Sequence, residues 1–338
     1  MSQPAHKDDR LPSIRFPESP VGTESFQVDI DTVFNWDYRV QIEELRRLYE
    51  KGKDAQWNAK SYLKWDTDVD PEAENQPNEL MPIYGTPLWD RLDKTRELPK
   101  LRRLMTAWVL SNFLHGEQGA LIAASQIVSA VPDTDAKFYA ATQVMDEARH
   151  VEAYDRYLRE KVELIFPISP HLRELLEAIL RERRWDLKYL GMQIMVEGLA
   201  LAAFGMIIQT NREPLLRELV QMIHQDEARH VAFGVLALRG QYDDMTENER
   251  GDREDFIIEA SRLMHDRFLF QEVWDHMGMP VAECMEAVRH SESQRMFRQL
   301  LFSKIVPNVK RLGLLTPRVR QGFEELGVLH YETWEATA

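Results

Sequence analysis

Cysteine is almost absent from this chain, with Cys284 the only one among 338 residues. A single cysteine excludes an internal disulfide and an iron–sulfur cluster bound by this chain alone. The protein therefore carries no ferredoxin-type electron relay of its own. Long apolar runs are also missing, and none approaches the roughly 20 residues that a membrane-spanning helix needs. We expect no transmembrane helix and a reduced, cytoplasmic location.

Basic residues are too few to balance the acidic ones. The chain has 42 Lys and Arg against 56 Asp and Glu, a formal net charge of -14. This excess disfavours nucleic acid or an anionic membrane as a partner, and we interpret it mainly as a source of solubility. The polar N-terminus, residues 1–16, lacks the apolar core of a secretory signal, so we expect none.

The alternation of Val, Ile and Thr that is typical of strands is nearly absent, and Gly and Pro sit at the ends of long periodic segments. The sequence therefore predicts an all-α protein. Residues 1–36 are expected to be irregular, and residues 55–98, with Trp57, Trp65 and Trp89, to form an ordered connecting segment. The predicted helices cover about 39–51, 98–131, 135–166, 171–183, 185–210, 214–242, 252–277, 281–310 and 318–326.

One five-residue motif, Asp-Glu-Ala-Arg-His, occurs at residues 146–150 and again at 226–230. A glutamate lies thirty residues before the Glu of each copy: Glu117 before the first and Glu197 before the second. Each half is predicted to be a helix pair with a short turn, so residues thirty apart can face each other across the pair. Residues i and i+3 of a helix share a face, so the Glu and His of each motif point together.

The repeat therefore brings four carboxylates and two imidazoles to one axis. These residues are Glu117, Glu147, His150, Glu197, Glu227 and His230. Carboxylate oxygen and neutral imidazole suit Fe(II), Mn(II) or Zn(II). Four buried glutamates would repel each other without metal, whereas two divalent ions would nearly neutralise them. The sequence thus predicts a two-metal site.

The remaining charged residues of the motif have expected supporting roles. A metal-bound histidine usually donates its other N–H to a carboxylate. We expect Asp226 to orient His150 and Asp146 to orient His230, across the bundle. Arg149 and Arg229 are expected to pair with these aspartates or with other carboxylates on neighbouring helices.

With both motif pairs intact over about residues 98–242, the chain resembles the ferritin-like di-iron carboxylate superfamily. Its members include the ribonucleotide reductase small subunit, R2-like ligand-binding oxidases, acyl-carrier-protein desaturases, multicomponent monooxygenases and p-aminobenzoate N-oxygenases. The resemblance implies a four-helix bundle over residues 98–242. We expect residues 1–97 to wrap this bundle and residues 243–338 to add helices that pack on it.

The resemblance also implies a function: oxidation of a small apolar or aromatic substrate by O2, through hydroxylation, desaturation or N-oxygenation. The implied cofactor is two iron ions, with a manganese–iron pair as the alternative. An external electron donor, such as a reductase or ferredoxin, and a homodimer are the expected partners. Two alternatives remain open at this point, namely an iron-handling ferroxidase and a radical-generating subunit of the reductase type.

Four positions bear on the choice between these relatives. Tyr154 matches the radical-bearing tyrosine of the reductase, so a redox role is one interpretation and a core tyrosine the other. Leu201 stands where many monooxygenases have a threonine. The N-oxygenases have a third histidine one turn before the last glutamate, where this chain has Ile223. The next residue, His224, is therefore a possible extra ligand.

Overall fold

The structure, a computed structural model, describes residues 25–336. Every regular element in this part of the chain is helical and no strand occurs there, which confirms the predicted all-α class. The α-helices are α1 Glu43–Asp54, α2 Ala59–Tyr62, α3 Pro87–Arg91, α4 Glu97–Ala130, α5 Thr134–Tyr157, α6 Pro170–Arg181, α7 Trp185–Tyr189, α8 Glu197–Thr210, α9 Pro214–Leu238, α10 Glu247–Asp266, α11 Gln271–Met277, α12 Val281–His290, α13 Glu292–Leu300, α14 Ile305–Arg311 and α15 Pro317–Glu325. Short 3-10 helices cover Asn78–Leu80, Leu301–Ser303 and Leu329–Thr333.

Two helix hairpins form the centre of the fold. Helices α4 and α5 pack along each other, as do α8 and α9, and α5 also packs against α9. The second turn is fixed by Glu213, whose carboxylate accepts from the backbone N–H groups of Leu215 and Leu216, and by Pro214 at the first helical position. This is the ferritin-like four-helix arrangement predicted from the repeat.

Two stretches of the bundle are π-helical. Leu190–Val196 joins α7 to α8, so the predicted helix over 185–210 is continuous but changes its hydrogen-bonding pattern immediately before Glu197. A second π-helical stretch, Leu158–Val162, follows α5. There the predicted helix over 135–166 ends early, because Glu163 adopts a left-handed conformation with φ of 56°.

The prediction of one helix over 252–277 was wrong. Helix α10 ends at Asp266 and α11 begins at Gln271, with Phe270 between them at a left-handed φ of 56°. The predicted helix over 281–310 is likewise divided, into α12, α13 and α14, with breaks at Ser291 and before Ile305. The side chain of Ser291 accepts from the backbone N–H of Gln294 and so begins a new helix.

The segment before the bundle is ordered by its tryptophans. Trp57 and Trp65 are buried, and Trp89 packs partly buried against the core. Residues 25–42 contain no regular element, and helix α1 begins four residues later than predicted. The rest of the irregular stretch predicted for residues 1–36, residues 1–24, lies outside the described residues.

One helical stretch, Trp185–Thr210, is long and apolar enough to cross a membrane by length and composition. In its most apolar window, 61% of the residues are buried inside the protein. A core helix of a bundle passes the same test, since it too is apolar on most sides.

Candidate metal centre

All six residues singled out by the repeat meet at the centre of the bundle. They are Glu117 on α4, Glu147 and His150 on α5, Glu197 on α8, and Glu227 and His230 on α9. All six are buried. They form two groups, Glu117–Glu147–His150–Glu227 and Glu147–Glu197–Glu227–His230, and within each group one potential ligand atom per residue lies within 4.8 Å of the others.

Glu147 and Glu227 belong to both groups. The other four residues each belong to one group only. Glu117 and His150 belong to the first group, and Glu197 and His230 belong to the second. This is the arrangement expected of two metal positions that share two bridging carboxylates.

Both histidines present Nδ1 to the carboxylates and Nε2 to an aspartate. Nδ1 of His150 lies 3.3 Å from Glu117 and 3.3 Å from Glu227. Its Nε2 lies 3.0 Å from Oδ2 of Asp226. An Nε2–H that donates to Asp226 leaves the lone pair of Nδ1 directed at the cluster, which is the tautomer that metal binding needs.

The second histidine repeats this geometry. Nδ1 of His230 lies 3.1 Å from Glu147, and Nε2 lies 3.2 Å from Oδ2 of Asp146. Each histidine thus contacts the aspartate predicted for it, and in both pairs the histidine and the aspartate lie on different helices. Because every histidine–aspartate contact crosses between α5 and α9, the pairs also fix the spacing of these helices.

The two arginines of the motif complete the charge balance outside the cluster. Arg149 donates to Asp146 over 2.5 Å and to Asp226 over 2.9 Å. Arg229 also donates to Asp226 and lies 3.9 Å from Asp146. The hydrogen bonds to His150 and Arg149 keep the pKa of Asp226 well below its ordinary value although burial opposes this. Both aspartates are therefore anionic acceptors.

Several partners of the cluster were not found from the sequence. Nε2 of Gln143 donates to Glu147 over 3.0 Å and to Glu197 over 2.8 Å, and its own oxygen accepts from Gln193. Gln143 lies one helical turn before Glu147, so its helix position was a signal that could have revealed it.

Two further partners come from the segment before the bundle. The indole N–H of Trp57 donates to Asp226 over 2.8 Å, and Gln56 donates to Asp146 over 2.8 Å. Neither residue lies near the motif in sequence, so no local pattern could have indicated them. The connecting segment therefore takes part in ordering the groups around the histidines.

The cluster contains polar atoms that no protein group satisfies. The buried atoms without a hydrogen-bond partner are Oε2 of Glu147, Oε2 of Glu197, both carboxylate oxygens of Glu227, and Nδ1 of His230. Burial, together with the charge of Glu227, raises the pKa of Glu117 and of Glu197 well above the ordinary range. Buried carboxylate oxygens left without donors fit a site for cations, so the residues present suit two divalent metal ions.

The sequence left two further residues open as possible site members. The phenol of Tyr154 is fully buried, its hydroxyl has no hydrogen-bond partner, and burial raises its pKa well above the ordinary value. His224 is half-buried and belongs to neither group of potential ligands, while Ile223 is fully buried. The structure thus brings Tyr154, but not His224, into the interior beside the cluster.

A small cavity of about 30 Å³ adjoins the cluster. Three of the glutamates line it: Glu117, Glu197 and Glu227. Most of the other lining residues are apolar or small, namely Phe113, Gly116, Ala120, Leu172, Val196, Leu199, Ala200 and Phe204. Apolar and small residues, mainly on α4 and α8, thus form a wall beside the cluster.

Comparison with known proteins identifies a family that matches most of this chain. The family model for "P-aminobenzoate N-oxygenase AurF" matches residues 40–313. Two solved structures of R2-like ligand-binding oxidase variants, both with a Mn/Fe cofactor, are similar to this chain. They share 16% and 17% sequence identity with it, cover 79% of this chain and 92% of their own, and have TM-scores of 0.46 and 0.45. No curated protein sequence matches.

The family match extends from before α1 to beyond α14 and so includes the whole bundle, both motif copies and their upstream glutamates. It covers more than half of the chain. The all-α bundle, the buried carboxylate and histidine cluster and this match agree, and the protein is a di-iron oxidoreductase that uses O2. The chain belongs to the P-aminobenzoate N-oxygenase AurF family.

Proposed function

We propose that this protein is an N-oxygenase of a small aromatic amine, and that the six clustered residues hold its two iron ions. The observation that carries the metal assignment is the sharing of Glu147 and Glu227 by both potential ligand groups. The family match supports N-oxygenation over hydroxylation or desaturation. The apolar wall beside the glutamates supports an aromatic rather than a polar substrate.

The proposed reaction inserts one oxygen atom into an N–H bond. An arylamine, O2, two electrons and two protons give an arylhydroxylamine and water, so the nitrogen is oxidised while O2 is reduced. When bound, the two iron ions would supply the electrons to O2 and activate it. With a single cysteine the chain cannot bind an iron–sulfur cluster alone, and we propose that another protein supplies the two electrons from outside.

The protein residues contribute position and protection. The residues that would hold the two ions are Glu117, Glu147, His150, Glu197, Glu227 and His230, of which Glu147 and Glu227 belong to both groups. Asp226 and Asp146 hold the histidine tautomers, which keeps Nδ1 free for metal. Phe113 and Phe204 line the cavity beside the cluster and pack edge to face, with ring centroids 4.8 Å apart, so they would limit the access of water to the metals.

The direct test is product analysis with labelled oxygen. We expect the iron-loaded protein, with a chemical reductant and p-aminobenzoate or another arylamine under ¹⁸O2, to form a hydroxylamine that contains ¹⁸O in mass spectra. Two bound irons per chain and O2 consumption without any N-oxygenated product would contradict N-oxygenation. Oxygen found on a ring carbon would instead support hydroxylation.

The metal assignment has its own test. Glu147→Ala and Glu227→Ala each remove a residue shared by both groups, so we expect both variants to lose stoichiometric binding of two irons. Glu152→Ala is the matched control, since Glu152 is an exposed glutamate on the same helix as Glu147. Variants of the shared residues that still bind two irons per chain would overturn the assignment.

We also propose that the protein is a homodimer. Phe34 and Trp36 are 73% and 75% exposed and stack on each other with ring centroids 5.4 Å apart. Exposed aromatic pairs of this kind support an interface between copies. Light scattering is expected to give the mass of a dimer for the wild type and of a monomer for Trp36→Glu. A monomeric wild type would contradict the proposal.

A further inference from the structure

A second cavity adjoins the one beside the glutamates. The cavity of about 30 Å³ next to the cluster, here called the inner cavity, is lined by Phe113 and Glu117 among others. The second, here called the outer cavity, has a volume of about 100 Å³ and is also lined by Phe113. Engineered apolar cavities of about 150 Å³ hold benzene, so the outer cavity approaches the size that one aromatic ring needs.

Helix α4 shows the direction in which the outer cavity extends from the cluster. Met105, Val109 and Phe113 line the outer cavity, and Glu117 follows them at the same four-residue spacing. Residues four apart share one face of a helix. At about 1.5 Å per residue, the outer cavity starts about 6 Å from the level of Glu117 and reaches about 18 Å from it. A molecule that occupies both cavities is therefore extended, and its two ends meet different groups.

The wall of the outer cavity is uncharged and mostly apolar. Among the side chains that the structure describes, fourteen line it and none of these carries a charge. Phe268 and Phe297 meet there edge to face with ring centroids 5.4 Å apart, and Met105 and Met206 add polarisable thioethers. Arg267 lines the inner cavity and not the outer one. A carboxylate in the outer cavity would leave water without meeting a counter-charge in this wall, which is costly.

One polar atom in this wall has no partner. Gln294 on α13 lines the outer cavity and is 5% exposed. Its Nε2 donates to the carbonyl of Leu80 over 3.3 Å, and because a carbonyl only accepts, this contact fixes the orientation of the amide. Its Oε1 is buried, and no donor among the described residues lies within hydrogen-bonding distance of it. Buried acceptors are normally satisfied, so Oε1 suits a donor that the chain does not supply.

Gln294 lies where the outer cavity reaches the surface. Its neighbour in the chain, Ser293, lines the same cavity and is exposed, and Gln76 in the same wall is half-buried. Phe113 and Ala203, which also line the outer cavity, are buried. The cavity thus runs from the surface near Ser293 inward to Phe113, and the free acceptor lies at the end remote from the cluster.

We propose that the outer cavity binds the end of the substrate that is remote from the reacting nitrogen, and that Gln294 selects an O–H or N–H donor there. The substrate class is then an extended, uncharged aromatic amine with a hydroxyl or amide at its far end, and not an aromatic acid. This inference rests on the proposed function only for the reacting amine. Gln294 is a specificity-determining residue, because it lies away from the reacting atoms.

Matched probes test the acceptor without turnover. Benzyl alcohol and ethylbenzene have nearly the same shape, but only the alcohol can donate a hydrogen bond. Titration calorimetry on the iron-loaded protein without O2 gives the ratio of their affinities. We expect this ratio of alcohol to ethylbenzene to fall about twofold to tenfold in Gln294→Met, the range of one neutral hydrogen bond. Benzenesulfonate, an aromatic anion that binds metals weakly, is expected to bind at least tenfold more weakly than the alcohol.

The ratio separates recognition from a structural effect. Gln294→Met keeps the length of the side chain but also loses the bond to Leu80, which would weaken both probes equally and leave the ratio unchanged. Gln299→Met is the matched control, because Gln299 is on the same helix and donates to the carbonyl of Gly327 over 3.1 Å but lines neither cavity. Ala203→Leu fills the outer cavity, so we expect it to weaken both probes.

Three results would overturn this proposal. They are a ratio that is the same in Gln294→Met and the wild type, probe binding that is absent from the wild type or undiminished in Ala203→Leu, and benzenesulfonate binding as tight as that of the alcohol. A wild type that binds the probes as expected but oxidises no arylamine would contradict the proposed function and leave the donor-binding site intact. The two proposals therefore fail separately.

Discussion

Trp57 donates its indole N–H to Oδ2 of Asp226 over 2.8 Å. The same oxygen lies 3.0 Å from Nε2 of His150, so one carboxylate oxygen serves a tryptophan outside the bundle and a histidine at its centre. The charge of the Asp226 carboxylate therefore strengthens two contacts, one to Trp57 and one to His150. Its replacement should affect both the metal site and the attachment of the connecting segment.

We expect Asp226→Asn to weaken iron binding about tenfold to hundredfold, because the amide no longer holds the basic, Nδ1-free form of His150. Asp146→Asn should weaken binding similarly through His230. Competition with a coloured chelator measures both. Asp135→Asn is the control, since Asp135 is a buried aspartate on the same helix as Asp146 but pairs with Arg46. Equal losses in all three variants would contradict a specific role.

Gln143 is expected to stabilise the metal-free protein through its bonds to Glu147 and Glu197. Gln143→Leu leaves the amide of Gln193 and one oxygen of each glutamate without their partner. The free energy of unfolding, measured in urea, should fall by about 1–3 kcal/mol, the cost of an unsatisfied buried polar group. A loss below about 0.5 kcal/mol would show that water replaces the amide.

Gly234 on α9 is required by close packing. A Cβ atom at this position would lie 2.5 Å from Cβ of Gln193, which supports Gln143 in turn. We expect Gly234→Ala to reduce the free energy of unfolding by about 1–3 kcal/mol through overpacking. Gly205→Ala on α8 is the matched control, since a Cβ there meets no atom within 4 Å.

The control should change stability in the opposite direction. Alanine in place of a helical glycine raises the free energy of unfolding by about 0.5–1 kcal/mol when nothing obstructs it. Equal effects of the two substitutions in thermal and urea unfolding would show that α9 can move away from Gln193. The prediction for Gly234 would then be wrong.

Metal binding should release protons. In the metal-free protein, burial raises the pKa of Glu117 and Glu197, so both carboxyls stay protonated at pH values where an exposed glutamate is ionised. Burial opposes the charged form of His150, but its bonds to Asp226 and the glutamates outweigh this and raise its pKa too. Metal displaces these protons, so iron affinity should increase as the pH rises.

Calorimetry in buffers of different ionisation enthalpy measures this release directly. The heat of iron binding is expected to depend on the buffer, with a slope that corresponds to net protons given to it. A heat that is the same in all buffers would mean that the glutamates are already ionised in the metal-free state. Calcium, which prefers more oxygen ligands, is a suitable comparison ion.

Tyr154 permits a test of the redox role that its sequence position indicates. Its hydroxyl is buried without a partner, so Tyr154→Phe should leave the free energy of unfolding unchanged or raise it by about 1 kcal/mol. A redox role further predicts a tyrosyl signal in electron paramagnetic resonance after O2 exposure, lost in the variant. A wild type without such a signal would leave Tyr154 as a packing residue beside Phe113.

The six residues of the cluster were predictable because the motif and its spacing are local features of the sequence. A five-residue motif on a helix determines which side chains share a face, and the thirty-residue spacing sets them opposite each other across a hairpin. The cross-bundle pairs of Asp226 with His150 and Asp146 with His230 followed from the same geometry.

The surroundings of the centre were not predictable in this way. Trp57 and Arg267 reach the interior from segments far from the motif in sequence, where only tertiary packing decides which side chains turn inward. The breaks at Glu163 and Phe270 use left-handed backbone at residues that rarely adopt it, so no glycine marked them. Gln143 lay on the correct face, but a single glutamine in a helix carries no distinctive pattern.

The π-helical stretch Leu190–Val196 makes the two halves of the repeat unequal. Glu117 stands within an uninterrupted α-helix, whereas its counterpart Glu197 is the first residue after the π-helical turns. An α-helix rotates about 100° per residue, so widened turns shift the direction of every side chain that follows. The glutamates Glu117 and Glu197 therefore reach the cluster from differently wound helices, so the two metal positions would not be equivalent although the motif around them is repeated.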